Sequence, residues 1–241
     1  MNDTPLADMT LISSLRRNLR DLAVPEDAAP MQAYMKSAMP FLGCKKPVRA
    51  QACKALFAAR LPLSPAVLLD TVAVLWHEAT HREERYCALS LLHHKKHAKH
   101  LHTPDARLLT LLEEMVVTGA WWDFVDELTH SFGSLLRHAG ESMRPLLLDW
   151  AACDNMWKRR IAILCQLRFK ELTDFAFMQA CIEPSLPPSP MADEFFLRKG
   201  IGWALRDYAW SNPAAVAAYV QANEKRLSPL TRREALKRIS K

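Results

Sequence analysis

The chain has 241 residues, with 32 Lys and Arg against 26 Asp and Glu, a formal net charge of +6. Half of it is apolar and 24% is charged, so apolar surface is ample to offset chain entropy and general disorder is excluded. No run of about 18 apolar residues exists to cross a membrane, and the six glycines form neither a dinucleotide fingerprint nor a P-loop.

Residues 5–22 read as an amphipathic helix. Leu6, Met9, Leu11, Leu15, Leu19 and Leu22 recur at three- and four-residue steps, with Arg16, Arg17 and Arg20 off that stripe. Met1 to Thr10 carries Asp3 and Asp8 and no basic run, so no secretory leader is read there and a cytoplasmic protein is expected. Pro25 is expected to end this helix and Pro30 to open a short one over 31–39. Pro47 suits the first position of a helix over 48–59, and helices near 65–77 and 83–99 follow. The last of these carries His93, His94, His97, His100 and His102, some at metal-ligand spacing. Lys95, Lys96 and Lys99 between them repel a dication, so a solvated face is the better reading and no metal is expected. His77-Glu78-Ala79-Thr80-His81, a second candidate pair, has the five-residue HExxH spacing.

Thr103-Pro104 is a fitting cap for a helix over 104–117, with further helices near 121–136, 141–151, 155–169 and 171–182. The Pro-rich link 183–190 precedes helices over 191–210, 213–223 and 230–239. The six cysteines contain no C-x-x-C, and buried free thiols in a reducing compartment are expected rather than disulfides. About a dozen helices with tight joints and no strand make an all-α chain. Helix pairs recurring roughly every 35–40 residues fall in the period range of HEAT-like and armadillo-like repeats, and the spacing favours such a solenoid over an irregular bundle.

Basic residues are uneven along the chain. From Arg198 to Lys241 there are ten against three acids, a local balance of 10 − 3 = +7. Further clusters are Lys158, Arg159, Arg160, Arg168 and Lys170, and Lys36, Lys45, Lys46, Arg49 and Lys54. A basic stripe on successive repeats suits a phosphate backbone, and a plain solvated surface is the alternative.

The densest chemistry is Trp121-Trp122-Asp123-Phe124-Val125-Asp126. On a helix Trp122 and Asp126 share a face, and an acid beside a tryptophan on an apolar segment is either paired or functional. Helix-start roles for Asp123 and Asp126 are the alternative. Asn155 reads as the cap of a helix carrying Arg160. Gly200 and Gly202 permit close approach beside Trp203, to a helix or to a ligand.

Four strings resemble the AlkD family of bacterial DNA alkylation-repair glycosylases. They are Tyr34-Met-Lys36…Phe41-Leu-Gly43-x-x-x-Pro47-x-Arg49, Trp121-Trp122-Asp123-x-Val125-Asp126, Asn155-x-Trp157-x-x-Arg160…Gln166-Leu, and Phe195-Phe-x-x-Lys199-x-Ile-Gly-Trp203-x-Leu-Arg206-x-Tyr208-Ala. The resemblance runs over about residues 25–240. It implies a single domain over 1–241, with an N-terminal helix over 1–24, HEAT-like repeats and a concave basic face. It places the catalytic acid on Asp126, lesion-flanking indoles on Trp122 and Trp203, and the active-site arginine on Arg160. DNA-gripping positions fall on Tyr34, Lys45, Lys46, Arg168 and Arg206; the family typically has Gln-Thr where this chain has Lys45-Lys46. The implied activity is excision of cationic N3- or N7-alkylated purines from duplex DNA without base flipping, by a monomer that uses no cofactor. The alternatives are a non-catalytic HEAT-like module binding DNA structures or a protein partner, and a metal-dependent hydrolase using the histidine run.

Overall fold

Short polar caps and prolines decide where the helices begin. The computed structural model describes residues 6–62 and 64–239, so the expected helix start at Pro5 lies outside the described residues. Among the described residues every regular element is helical. They group into two compact units, one up to His100 and one from Leu101 onward.

In the first unit, α1 spans Met9–Asp21, with the Asp8 carboxylate accepting from the Leu11 N–H at 3.0 Å. Leu11, Ile12, Leu15 and Leu19 are its buried stripe, while Leu6 and Met9 are exposed because the helix begins only at Met9. Pro25 does not end a helix; it opens α2, Pro25–Tyr34, and Pro30 lies inside it rather than at a start. A proline at the first position gives up no helical bond, which is why the start falls there. Its amino end is held by the loop after Pro40. The Val24 N–H donates to the Leu42 carbonyl at 2.9 Å, and a Cβ on Gly43 would sit 2.0 Å from the Val24 oxygen.

Helices α3 (Lys46–Ala59), α4 (Pro65–His77) and α5 (Arg82–Leu92) complete this unit. Most of α4 is buried, from Leu68 and Leu69 through Trp76, as expected of a central helix that is apolar on most sides. The expected helix over 83–99 stops at Leu92, where its apolar stripe runs out, and a 3-10 turn takes over Lys95–Leu101. All six cysteines are free; five are buried and Cys153 is half-buried.

In the second unit, α6 spans Ala106–Gly119 and is capped by Asp105, which accepts from Arg107 and Leu108, rather than by Thr103. Next comes α7, Trp122–Ala152, a pair of helices joined at Gly140, where φ is +26°. The separation expected between 136 and 141 is this joint. Asn155 caps α8, Met156–Leu164, as read from the sequence, accepting from Trp157 at 2.9 Å and Lys158 at 3.1 Å. Such a cap contributes about 1 kcal/mol. Helices α9 (Phe175–Ile182), α10 (Phe195–Tyr208), α11 (Pro213–Ala222) and α12 (Pro229–Leu236) follow, each shorter than expected. Ile163, Leu164, Ile201, Leu205 and Val216 centre one core shared by α8, α10 and α11. Gly133 lets α7 close on the end of α8, since a Cβ there would sit 2.7 Å from the Cys165 carbonyl oxygen.

Candidate active site

The entry to α7 separates its two tryptophans. Ala120 is left-handed at φ +38° and Trp121 is extended, so the helix begins at Trp122. Trp121 turns into an aromatic cluster, edge-on to Phe196 at 5.5 Å and tilted to Trp157 at 6.2 Å between ring centres. Trp122 is half-buried, one turn ahead of Asp126.

Asp126 is paired. Arg160 donates from Nε to Oδ1 at 2.7 Å and from Nη2 to Oδ2 at 2.9 Å. Its remaining nitrogen, Nη1, donates to the Phe196 carbonyl at the start of α10. The guanidinium side chain is 4% exposed and the carboxylate side chain 18%. A carboxylate oxygen accepts two hydrogen bonds, and this fork takes one from each, so acceptor capacity remains on the open edge. Burial raises the Asp126 pKa above the ordinary range; Arg160 pulls it back, Asp123 adds to the rise and His130 opposes it. A bare carboxylate here would be driven toward its neutral form, and the arginine fork works against that.

Space for the fork comes from α10. A Cβ on Gly200 would sit 3.1 Å from Arg160 Nη1, so this glycine makes room for a side chain. At Gly202 a Cβ would meet the Glu234 Cβ at 2.6 Å and the Thr231 carbonyl at 3.0 Å, so it accommodates α12. Trp203, one turn past Gly200, is half-buried against the core of α10 and α11. The four candidate catalytic residues thus come from α7, α8 and α10, with α8 packing on each of the other two.

The candidate DNA contacts are less uniform. Arg168 is exposed, with left-handed backbone at φ +65°, and its N–H donates to Asp207 Oδ2 at 2.7 Å. Arg206 is tied to Glu234, which also receives Lys199 Nζ at 2.7 Å. In the first unit, Tyr34 is 75% exposed at the end of α2. Lys45 pairs with Asp27 at 2.7 Å and Lys46 is exposed at the start of α3.

Two arginines counted among the basic clusters face inward. Arg159 donates to the carbonyls of Ala152, Cys153 and Pro184, closing the corner between α7 and α8. Arg49 is buried, with its guanidinium 4.2 Å from the centre of the Tyr86 ring. The expected stripe is therefore thinner than the residue count suggests. Sequence reading missed the Phe196 carbonyl, the role of Gly200 and the Glu234 bridge. The four-residue step from Phe196 to Gly200 on one helix face was the available signal.

No group of three or more His, Cys, Asp or Glu side chains is arranged to hold a metal ion among the described residues. An open groove of about 770 Å³ runs between α11 and α12, past Arg232 and Lys237, and holds none of the predicted site residues.

The sequence matches the DNA alkylation repair enzyme family over residues 15–239. It is similar to the solved structure of a predicted DNA alkylation repair enzyme from Enterococcus faecalis, at 30% identity and a TM-score of 0.77, over 91% of this chain and 97% of that one. The crystal structure of AlkD2 from Streptococcus mutans shares the fold at 16% identity and a TM-score of 0.62, over 95% of this chain and 98% of that one. Curated proteins gave no match. Among the described residues no helix is long and apolar enough to cross a membrane.

Proposed function

The chain belongs to the DNA alkylation repair enzyme family, and on that premise we propose that it is a monofunctional DNA glycosylase acting on cationic N3- and N7-alkylated purines in duplex DNA. The observation that carries this reading is the half-open carboxylate of Asp126, gripped by Arg160 and one turn from Trp122.

Alkylation at N3 or N7 leaves the purine positively charged. When its bond to C1′ breaks, the electron pair stays on the base, which departs neutral without a general acid. Positive charge then builds on the deoxyribose. An ionised Asp126 beside C1′ stabilises that charge, and its open edge orients water for attack. Water adds to C1′ and gives up its proton to solvent or to the carboxylate. The faces of Trp122 and Trp203 present negative quadrupole to the same cation. Chemistry worked from the sugar side needs no rotation of the base into a pocket, unlike that of most glycosylases.

In this reading Arg160 is a positioning residue that orients the acid and opposes its neutralisation. Tyr34, Lys45, Lys46, Arg168 and Arg206 hold the duplex, residues 1–241 act as one domain, and the protein works as a monomer. The test is incubation of duplex DNA carrying 7-methylguanine or 3-methyladenine in EDTA, with freed base measured by chromatography. Release by the wild type and none by Asp126→Asn is expected. Tight duplex binding without release would favour the non-catalytic module.

A further inference from the structure

Asp126 is not the end of the useful face of α7. One turn on comes His130, then Ser134, then Arg137 and His138, before the joint at Gly140. These residues line one side of a cleft of about 290 Å³, and Arg168 and Phe169, in the link after α8, line the other. Gly133 permits this proximity by admitting the Cys165 carbonyl. At about 1.5 Å per residue, His130 lies roughly 6 Å and Arg137 roughly 16 Å along the helix from Asp126.

The cleft is built for an anion. The Arg137 guanidinium lies over the Phe169 ring, 4.3 Å from its centre. Neither Arg137 nor Arg168 forms a side-chain ion pair with a described residue. His138 is fixed from two sides: Nδ1 lies 2.8 Å from the Ser134 carbonyl, and the ring stacks on His102 at 3.5 Å between centres. Donation to that carbonyl assigns the proton to Nδ1 and leaves Nε2 as the free edge of the ring. The nearby carboxylate, Asp207, is turned to the Arg168 backbone N–H. Two guanidinium groups, that of Arg137 set over a ring, and two imidazoles therefore line the cleft beside one acid already engaged. A guanidinium fork matches phosphate geometry.

We propose that this cleft binds a phosphodiester of the DNA strand that carries the damaged nucleotide, a few nucleotides from the sugar apposed to Asp126. The assignment adds Arg137 and His138 to the DNA-contacting residues and rests on the duplex substrate of the preceding section. The strand is thereby held along α7 on the same row that presents the acid.

The test is the salt dependence of binding to an undamaged duplex for wild type, Arg137→Gln and Arg137→Lys, with thermal melts confirming the fold. Loss of one phosphate contact lowers the slope of log K against log salt by about 0.9. Arg137→Gln is expected to show that loss and Arg137→Lys to recover most of it. If Arg137→Gln fails to fold, Arg137→Met, which keeps an unbranched side chain over the Phe169 ring and removes the charge, reads the same slope. An unchanged slope in a folded variant overturns the proposal. Base release by the wild type, measured in parallel, keeps the two readings apart. A changed slope with no wild-type release sustains the cleft and removes the glycosylase; an unchanged slope with release does the reverse.

Discussion

Arg160 holds Asp126 by a two-pronged grip, Nε to Oδ1 at 2.7 Å and Nη2 to Oδ2 at 2.9 Å, while its third nitrogen binds the Phe196 carbonyl on another helix. One guanidinium thus ties α7, α8 and α10 together at the proposed point of reaction. Asp126→Asn removes the charge and keeps much of the shape. Excision is expected to fall about 100-fold or more, the scale of losing one electrostatic contact to a transition state. Duplex affinity should stay within about threefold of wild type, because the carboxylate is not among the phosphate contacts. Single-turnover release and fluorescence anisotropy measure the two. Release at the wild-type rate would remove the role assigned to Asp126.

In the proposed mechanism the working form of Asp126 is ionised, and this fixes the sign of its pH dependence. Burial raises its pKa above the ordinary 3.8, with Arg160 opposing. Excision should therefore fail, as pH drops, at a higher pH than an ordinary aspartate would allow. Arg160→Gln removes the opposing pull, so the acid limb should move higher still. Rates over about pH 4 to 9 test this, with binding followed separately. A limb that stays put in Arg160→Gln counts against the coupling.

Gly200 and Gly202 should respond in opposite ways. Gly200→Ala gains helix propensity, up to about 1 kcal/mol, while its methyl presses a guanidinium that can yield a few tenths of an ångström. Its melting temperature should hold or rise as excision falls several-fold. Gly202→Ala drives a methyl against the Glu234 Cβ and the Thr231 backbone, so its melting temperature should fall. Melts of both variants beside single-turnover rates give the comparison. Equal loss of stability in both would show that Gly200 serves helix packing.

Glu234 restrains two basic residues. Its pKa is lowered, first by the Lys199 hydrogen bond and also by Arg206, against burial. A lowered folded value means the contribution to stability is present above the unfolded value near 4.5 and is lost as pH falls through the folded one. Glu234→Gln should destabilise the protein at neutral pH and much less in acid. It should also free Arg206, steepening the salt dependence of duplex binding by up to about 0.9 if that residue grips a phosphate. An unchanged slope would leave Arg206 as a structural partner of Glu234.

Local rules carried much of this fold. Asn155 caps α8 because a short polar side chain before an apolar run has few other uses, and Pro47, Pro65, Pro213 and Pro229 all fall in first turns. Pro25 and Pro30 misled, because a proline marks a boundary without saying which side is helical, and Pro30 is tolerated inside α2. The histidine run was misplaced because spacing alone does not separate an α-helix from a 3-10 turn once apolar packing ends. At the site, Trp122 and Asp126 were legible as one helical turn. Their partner was not, since Asp126 and Arg160 lie 34 residues apart and only tertiary packing joins them. The same limit hid the inward turn of Arg49 and Arg159.

The left-handed joint at Gly140 has a practical use. Nothing lies within 4 Å of where a Cβ would stand there, yet the backbone itself demands glycine. Residues 141–152 therefore form a second helix beyond a kink, and a short insert at the kink should leave the preceding turns aligned. It offers an attachment point for a reporter dye on the helix that carries the acid, well away from the chemistry it would watch.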